Sequence, residues 1–144
     1  MDGCSLCLDT SALIAYLKER EPAAAVVAHA VQKARCAVTA MTMYENFLRD
    51  RPGTTGDWRG GAAGCAGHSS PGRAAARRAA HLHDWLIRRN EDIGIKDVLV
   101  ASVCLEHSLP LLTLNERHFS RVSELRVLTP ADLMELVPGM GRAG

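Results

Sequence analysis

Three carboxylates in this 144-residue chain stand in company that suits chemistry better than solvation. Asp9 follows the apolar run Leu6-Cys7-Leu8 and precedes Thr10-Ser11. Glu45 lies between Met43 and Phe47, and Asp97 opens the apolar run Val98 to Leu105. A carboxylate among apolar neighbours is costly to keep ionised without a partner or a cation. Brought together, such groups repel, so one must hold a proton or a cation must be shared. Mg²⁺ or Mn²⁺ takes oxygen ligands and retains water, which suits phosphate-ester chemistry. Spacing alone does not establish that the three residues meet. Each also has a plain explanation: Asp9, Thr10 or Ser11 caps a helix, Asp97 suits a helix dipole, and Glu45 is a partly exposed helix residue.

The elements that position them follow from periodicity. Cys4 to Leu8 reads as a short buried strand and Ser11 to Lys18 as a helix with Leu13, Ile14 and Leu17 on one face. Asp9 therefore marks a strand end, where ligand sites gather in open parallel sheets. Ala23 to Ala34 is an alanine-rich helix and Arg35 to Thr39 a second strand. Thr39 to Thr42 opens a helix reaching about Asp50, with Met41, Met43, Phe47 and Leu48 on its apolar side. Val98 to Leu105 is apolar nearly all round, so this helix belongs in the core. Leu109 to Thr113 and Glu124 to Leu128 read as strands. Thr129 and Pro130 start a last helix as N-cap and first residue, and Pro138 ends it. Strands alternating with helices predict an α/β fold on a parallel sheet, one domain over 1–138 with a frayed tail at 139–144.

Two stretches depart from this pattern. Pro52 to Gly72 holds seven of the chain's twelve glycines and reads as a disordered loop. It matches no glycine-rich phosphate-binding motif. Arg73 to Asn90 is a helix carrying Arg73, Arg77, Arg78, Arg88 and Arg89, with Ala76, Ala79, Ala80, Leu82, Trp85 and Leu86 as its buried side. Such a basic flank is either a solvated face or a contact for phosphate. The net charge of +1 gives no global field for nucleic acid, so RNA contact needs a local patch such as this. Cys4-x-x-Cys7 has no second ligand pair, so core packing explains it better than zinc. The odd count of five cysteines, with no leader pattern and no membrane-length apolar run, points to a reducing cytoplasm.

Four blocks taken together carry a family resemblance. Leu8-Asp9-Thr10-Ser11-Ala12-Leu13-Ile14, Thr42-Met43-Tyr44-Glu45, Ile95-Lys96-Asp97-Val98-Leu99-Val100-Ala101 and Leu111-Leu112-Thr113-Leu114-Asn115-Glu116-Arg117-His118-Phe119 resemble the PIN-domain nucleases, most of all the VapC toxins of bacterial toxin–antitoxin pairs. The resemblance implies a three-layer α/β/α sandwich with a central parallel sheet. It implies Asp9, Glu45 and Asp97 converging on Mg²⁺ or Mn²⁺, endoribonuclease activity, a cognate VapB-like antitoxin and a homodimer. Thr10, Ser11 and Thr113 would then hold the carboxylates or a phosphate oxygen, or else serve as caps and turn formers.

Two departures from the family pattern stand out. Many PIN domains carry a fourth acid where this chain has Asn115, which ligates through oxygen but brings no charge. His118 nearby reads as a packing or loop residue, since a metal-activated water needs no histidine base. The glycine-rich Pro52 to Gly72 replaces what relatives build as helix and a short apolar strand. The alternative function is a catalytically weak PIN-like domain that binds antitoxin or RNA.

Overall fold

The computed structural model describes residues 3–49, 65–69 and 72–136. Along them run β1 (Leu6–Leu8), α1 (Thr10–Leu17), α2 (Ala23–Lys33), β2 (Cys36–Thr39), α3 (Ala40–Arg49) and β3 (Cys65–Ser69). There follow α4 (Arg73–Arg88), α5 (Ile95–Glu106), β4 (Leu111–Leu112), α6 (Glu116–Phe119), β5 (Val127–Leu128) and α7 (Pro130–Leu136). The strands pair in parallel in the order β3-β2-β1-β4-β5. The chain builds outward from β1 to β2 and β3, then crosses to β4 on the other side. The carboxyl ends of β1 and β4 thus frame the point where strand order reverses, which is where open α/β sheets place ligands.

Alternation along the strands assigns the two faces. Leu6, Leu8, Cys36, Val38 and Leu112 pack with Ala12 and Leu13 of α1 and Val27 and Ala30 of α2. Their neighbours Cys7, Ala37 and Leu111 point the other way, into a core with Ala79 and Leu86 of α4 and Val98, Val100, Ala101 and Cys104 of α5. Helices on both faces of a parallel sheet make the expected α/β/α sandwich. α5 is buried as its composition requires, with Ser102 returning its hydroxyl to Val98 O at 2.8 Å.

The strands are shorter than their apolar runs, because only the central residues complete the ladder. Single bonds continue it at the ends: Cys7 N–H donates to Pro110 O at 2.9 Å and Thr113 N–H to Leu128 O at 3.0 Å. The loop expected over Pro52 to Gly72 is corrected in part. Cys65–Ser69 forms β3, paired with β2 through Cys36↔Cys65, Val38↔His68 and Thr39↔Ser69. Backbone pairing against a ready-made strand edge needs no β-branched side chains, so composition hid this strand. The rest of that loop expectation, and the frayed tail at 139–144, lie outside the described residues. On α4 the buried face is Ala75, Ala79 and Leu86 with Leu82 packed beside it; Trp85 is exposed and carries Arg89 over its ring at 4.6 Å. Leu48, expected on the apolar side of α3, is exposed.

Candidate active site

Asp9 occupies the N-cap position of α1, yet its side chain makes no capping hydrogen bond. Its backbone carries the structural duty instead. Asp9 N–H donates to Leu112 O at 2.9 Å, and its carbonyl accepts from Leu13 N–H at 3.0 Å. The carboxylate is left to face the sheet edge, only 5% exposed. Ser11 Oγ donates to Asp9 Oδ2 at 2.9 Å and Thr113 Oγ1 donates to the same oxygen at 2.8 Å. Burial pushes the Asp9 carboxyl above its ordinary range; the two hydroxyls pull it back, and the charge of Asp97 pushes it up again. Asp9 and Asp97 therefore feel one another across the edge of the sheet.

The two hydroxyls also fix the loop after β4. Ser11 Oγ accepts from Leu114 N–H at 2.9 Å, and Thr113 Oγ1 accepts from Asn115 N–H at 2.9 Å. Each hydroxyl spends its proton on the carboxylate and its lone pair on the backbone. The turn after β1 and the turn after β4 are thereby locked together.

Glu45 arrives on α3, whose start is set by Thr39: its Oγ1 accepts from Thr42 N–H at 3.2 Å, an N-cap bond. One helical turn on, Glu45 Oε1 lies 3.4 Å from Thr10 Oγ1, which also lies 3.3 Å from Thr42 Oγ1. Glu45 Oε2 stands 3.7 Å from Lys96 Nζ. Glu45 thus meets the residues flanking Asp9 and Asp97 in sequence, Thr10 and Lys96.

Asp97 is placed by the entrance to α5. Gly94 takes φ +90°, a conformation that a side chain would strain. Gly94 N–H donates to Asp92 Oδ1 at 2.9 Å, and His83 Nε2 meets the same oxygen at 3.0 Å. These contacts hold Asp92 below the usual carboxylate range. Asp97 then projects from the first turn, with Oδ2 3.1 Å from His118 Nδ1. Asn115 Nδ2 lies 3.0 Å from the same ring nitrogen. One nitrogen cannot donate to a carboxylate and accept from an amide at once, so an ionised Asp97 claims the Nδ1 proton. His118 is thus no packing residue: its side chain is 41% exposed and attached to Asp97. Its position three residues after Asn115, one turn along α6, was the available sequence signal.

The structure brings Asp9, Glu45, Asp97, Asn115, Thr10 and Thr113 to one end of the sheet. It does not bring Arg73, Arg77 and Arg78 there. Those arginines line an open cleft of about 720 Å³ with His81 and Glu106, and Arg78 Nε lies 3.9 Å from Glu106. Glu106 is nine residues beyond Asp97 on α5, roughly 14 Å along the helix. Among the described residues, no three His, Cys, Asp or Glu side chains gather closely enough to form a ready-made metal cage. The ligand-type side chains of Asp9, Glu45, Asp97 and Asn115 at the sheet edge all offer oxygen, and Asp9 is buried. That set fits a hydrated Mg²⁺ or Mn²⁺, which binds through one or two carboxylates and keeps several waters.

Comparison with known proteins places this geometry in context. No protein-family model matches the chain. A segment of 50 residues is 40% identical to Ribonuclease VapC of Rickettsia bellii, covering 35% of this chain and 37% of that relative's length. Among solved structures, the chain is similar to the DNA-bound VapBC of Salmonella typhimurium, with a TM-score of 0.73 and 16% identity over 88% of this chain and 98% of that one. It is also similar to VapBC2 of Rickettsia felis bound to a promoter DNA fragment, with a TM-score of 0.70 and 15% identity over 86% and 97%. VapBC-5 of Mycobacterium tuberculosis, a member of the VapBC family of toxin–antitoxin systems, gives 0.60 and 24% over 88% and 97%. The fold expected from the four sequence blocks is borne out, and so is the resemblance to the VapC type. No helix among the described residues is long and apolar enough to cross a membrane.

Proposed function

We propose that this chain is a VapC-type endoribonuclease toxin that depends on Mg²⁺ or Mn²⁺ and is inhibited by a cognate VapB-like antitoxin. The observation that carries this reading is the condition of Asp9. Its carboxylate is buried, released from helix capping, held by two hydroxyls and within reach of the Asp97 charge. A fold does not need that arrangement; a cation site does. The segment resembling Ribonuclease VapC and the fold shared with VapBC complexes support the same reading.

Asp9 and Asp97 would be the principal ligands, with Glu45 completing the acidic shell and Asn115 offering an uncharged oxygen. When bound, the metal supplies a Lewis acid and a water of lowered pKa. Ser11 and Thr113 hold the Asp9 carboxylate through Oδ2, so it would not need to reorganise when charge develops. His118 orients Asp97 through Nδ1. RNA is the substrate, the reducing cytoplasm the compartment, and a homodimer the assembly. Cys4, Cys7, Cys36 and Cys104 are thiols rather than disulfides, which suits that compartment.

The separation of Glu45, paired with Lys96, from a closed three-acid cluster favours a second reading, a catalytically weak module that binds antitoxin or RNA. One comparison separates the two. Wild type, Asp9→Asn and Asp97→Asn are incubated with structured RNA in Mg²⁺, Mn²⁺ or chelator. Metal-dependent cleavage that both substitutions abolish supports the nuclease. Cleavage that survives chelation or both substitutions sinks the metal–carboxylate mechanism. A folded wild type that binds antitoxin without cutting RNA supports the module.

A further inference from the structure

A phosphodiester approaching Asp9, Glu45 and Asp97 meets three carboxylates, whose charge one divalent ion would offset only in part, so a side-chain cation is needed beside it. Arg73, Arg77 and Arg78 do not supply that cation, because they line the cleft beside Glu106. They lie about nine residues along α5 from Asp97, roughly 14 Å. That exceeds the Debye length of roughly 8 Å at physiological ionic strength. Among the described residues, Lys96 is the lysine or arginine in an ion pair with one of the three carboxylates.

The pair is built loosely. Nζ stands 3.7 Å from Glu45 Oε2, well beyond the roughly 2.7–2.9 Å of a charge-assisted hydrogen bond. The Lys96 side chain is 54% exposed and that of Glu45 14%. An ion pair with one arm in water contributes little to stability and is readily exchanged. Glu45 keeps a second contact, to Thr10 Oγ1, when the lysine leaves. Lys96 also precedes Asp97 directly, so its backbone is fixed by the first turn of α5 while its four-carbon stem can swing.

We infer that Lys96 is a substrate-contacting residue: its ammonium leaves Glu45 to bind a non-bridging oxygen of an RNA phosphate at the carboxylate edge. Lys96 then supplies the side-chain charge at the site beside the proposed metal ion, and Arg73, Arg77 and Arg78 stand too far along α5 to reach the same phosphate. The inference rests on the ribonuclease reading for its substrate class, yet RNA binding tests it without cleavage.

The experiment measures binding of a fluorescently labelled single-stranded RNA by anisotropy across a salt series, in chelator and again in Ca²⁺. Wild type is compared with Lys96→Met, Lys96→Arg, Glu45→Gln and the double variant Glu45→Gln/Lys96→Met, each checked for a wild-type thermal transition. Loss of one phosphate contact should lower the slope of log affinity against log salt by about 0.7. Lys96→Met is expected to show that fall with weaker binding, and Lys96→Arg to retain the wild-type slope. A lysine that only neutralises Glu45 predicts that the defect vanishes in the Glu45→Gln background; a phosphate contact predicts that it persists. Unchanged affinity and slope in Lys96→Met, or a wild type that binds RNA in neither buffer, overturns the inference. A wild type that binds but does not cut refutes the nuclease reading while the slopes still decide the role of Lys96.

Discussion

Thr113 Oγ1 donates to Asp9 Oδ2 over 2.8 Å, joining the ends of two adjacent parallel strands that are 104 residues apart in sequence. The same hydroxyl accepts from Asn115 N–H, so one atom positions a candidate ligand and the loop that carries another. Thr113→Val keeps the shape and removes both bonds. Leaving a buried donor and a carboxylate short of partners should cost about 1–3 kcal/mol. Displacing a carboxylate that holds a metal should lower cleavage by about 10–100-fold. Urea unfolding and RNA cleavage of Thr113→Val and Thr113→Ser provide the check. The serine variant retains the hydroxyl and should recover most of both losses; a valine variant like wild type beside an impaired serine variant would mean that the methyl group, not the hydroxyl, matters.

Asp9 also sets a pH dependence. Its folded carboxyl titrates above the ordinary 3.8, chiefly because it is buried. Between the ordinary value and the raised one, the folded chain binds more protons than the unfolded chain, so stability is lost as pH rises through that window. Asp9→Asn removes the charge and keeps an oxygen to accept from Ser11 or Thr113. In chelator, the variant should melt above wild type at neutral pH, and the gap should close as pH falls toward 3.8. Thermal melts from pH 3.5 to 8 read this directly. A variant less stable than wild type at neutral pH would show that the hydroxyl bonds outweigh the burial of the charge. Stabilisation coupled to lost cleavage is the expected signature of a strained functional carboxylate.

The parallel sheet was legible because its central strands are short continuous apolar runs, buried on both faces. It identified Asp9 and Asp97 through the contrast between a charge and its apolar neighbours. It could not show that Asp9 is free of capping, since that depends on side-chain direction at one dihedral. The ties of Glu45 to Lys96 and of Asp97 to His118 escaped because they join separate elements, and no local period reports them. The place of the arginines stayed open for a related reason. Their density on one helix face is visible in sequence, but the end of α5 they adjoin is a tertiary fact. β3 was hidden because its pairing is carried by backbone groups in a glycine-rich stretch.

His118 offers a test of orientation at the second carboxylate. Its Nδ1 contacts Asp97 Oδ2 at 3.1 Å, and a partner of this kind fixes the ligand before the metal arrives. His118→Ala should weaken Mn²⁺ binding by about 10–100-fold, as read by titration calorimetry. His118→Gln, which presents an amide donor at similar reach, should recover part of that loss. An alanine variant that binds Mn²⁺ like wild type would return His118 to an incidental surface role.

Phe119, the next residue, tests whether the site loop depends on the core beneath it. It is fully buried, in the cluster that contains Leu111 of β4 and Val98 of α5, and it ends the short helix that presents Asn115 and His118. A helix of four residues cannot hold itself by backbone bonds alone, so this ring is its anchor. Phe119→Ala should cost about 3–5 kcal/mol, against a whole-domain stability of roughly 5–15 kcal/mol. Phe119→Leu preserves more of the volume and should cost clearly less. Urea denaturation gives both values. Amide exchange should report where the damage falls: protection lost at Leu114 to Val122 before the central strands would support local anchoring, whereas uniform loss would make Phe119 a general core residue.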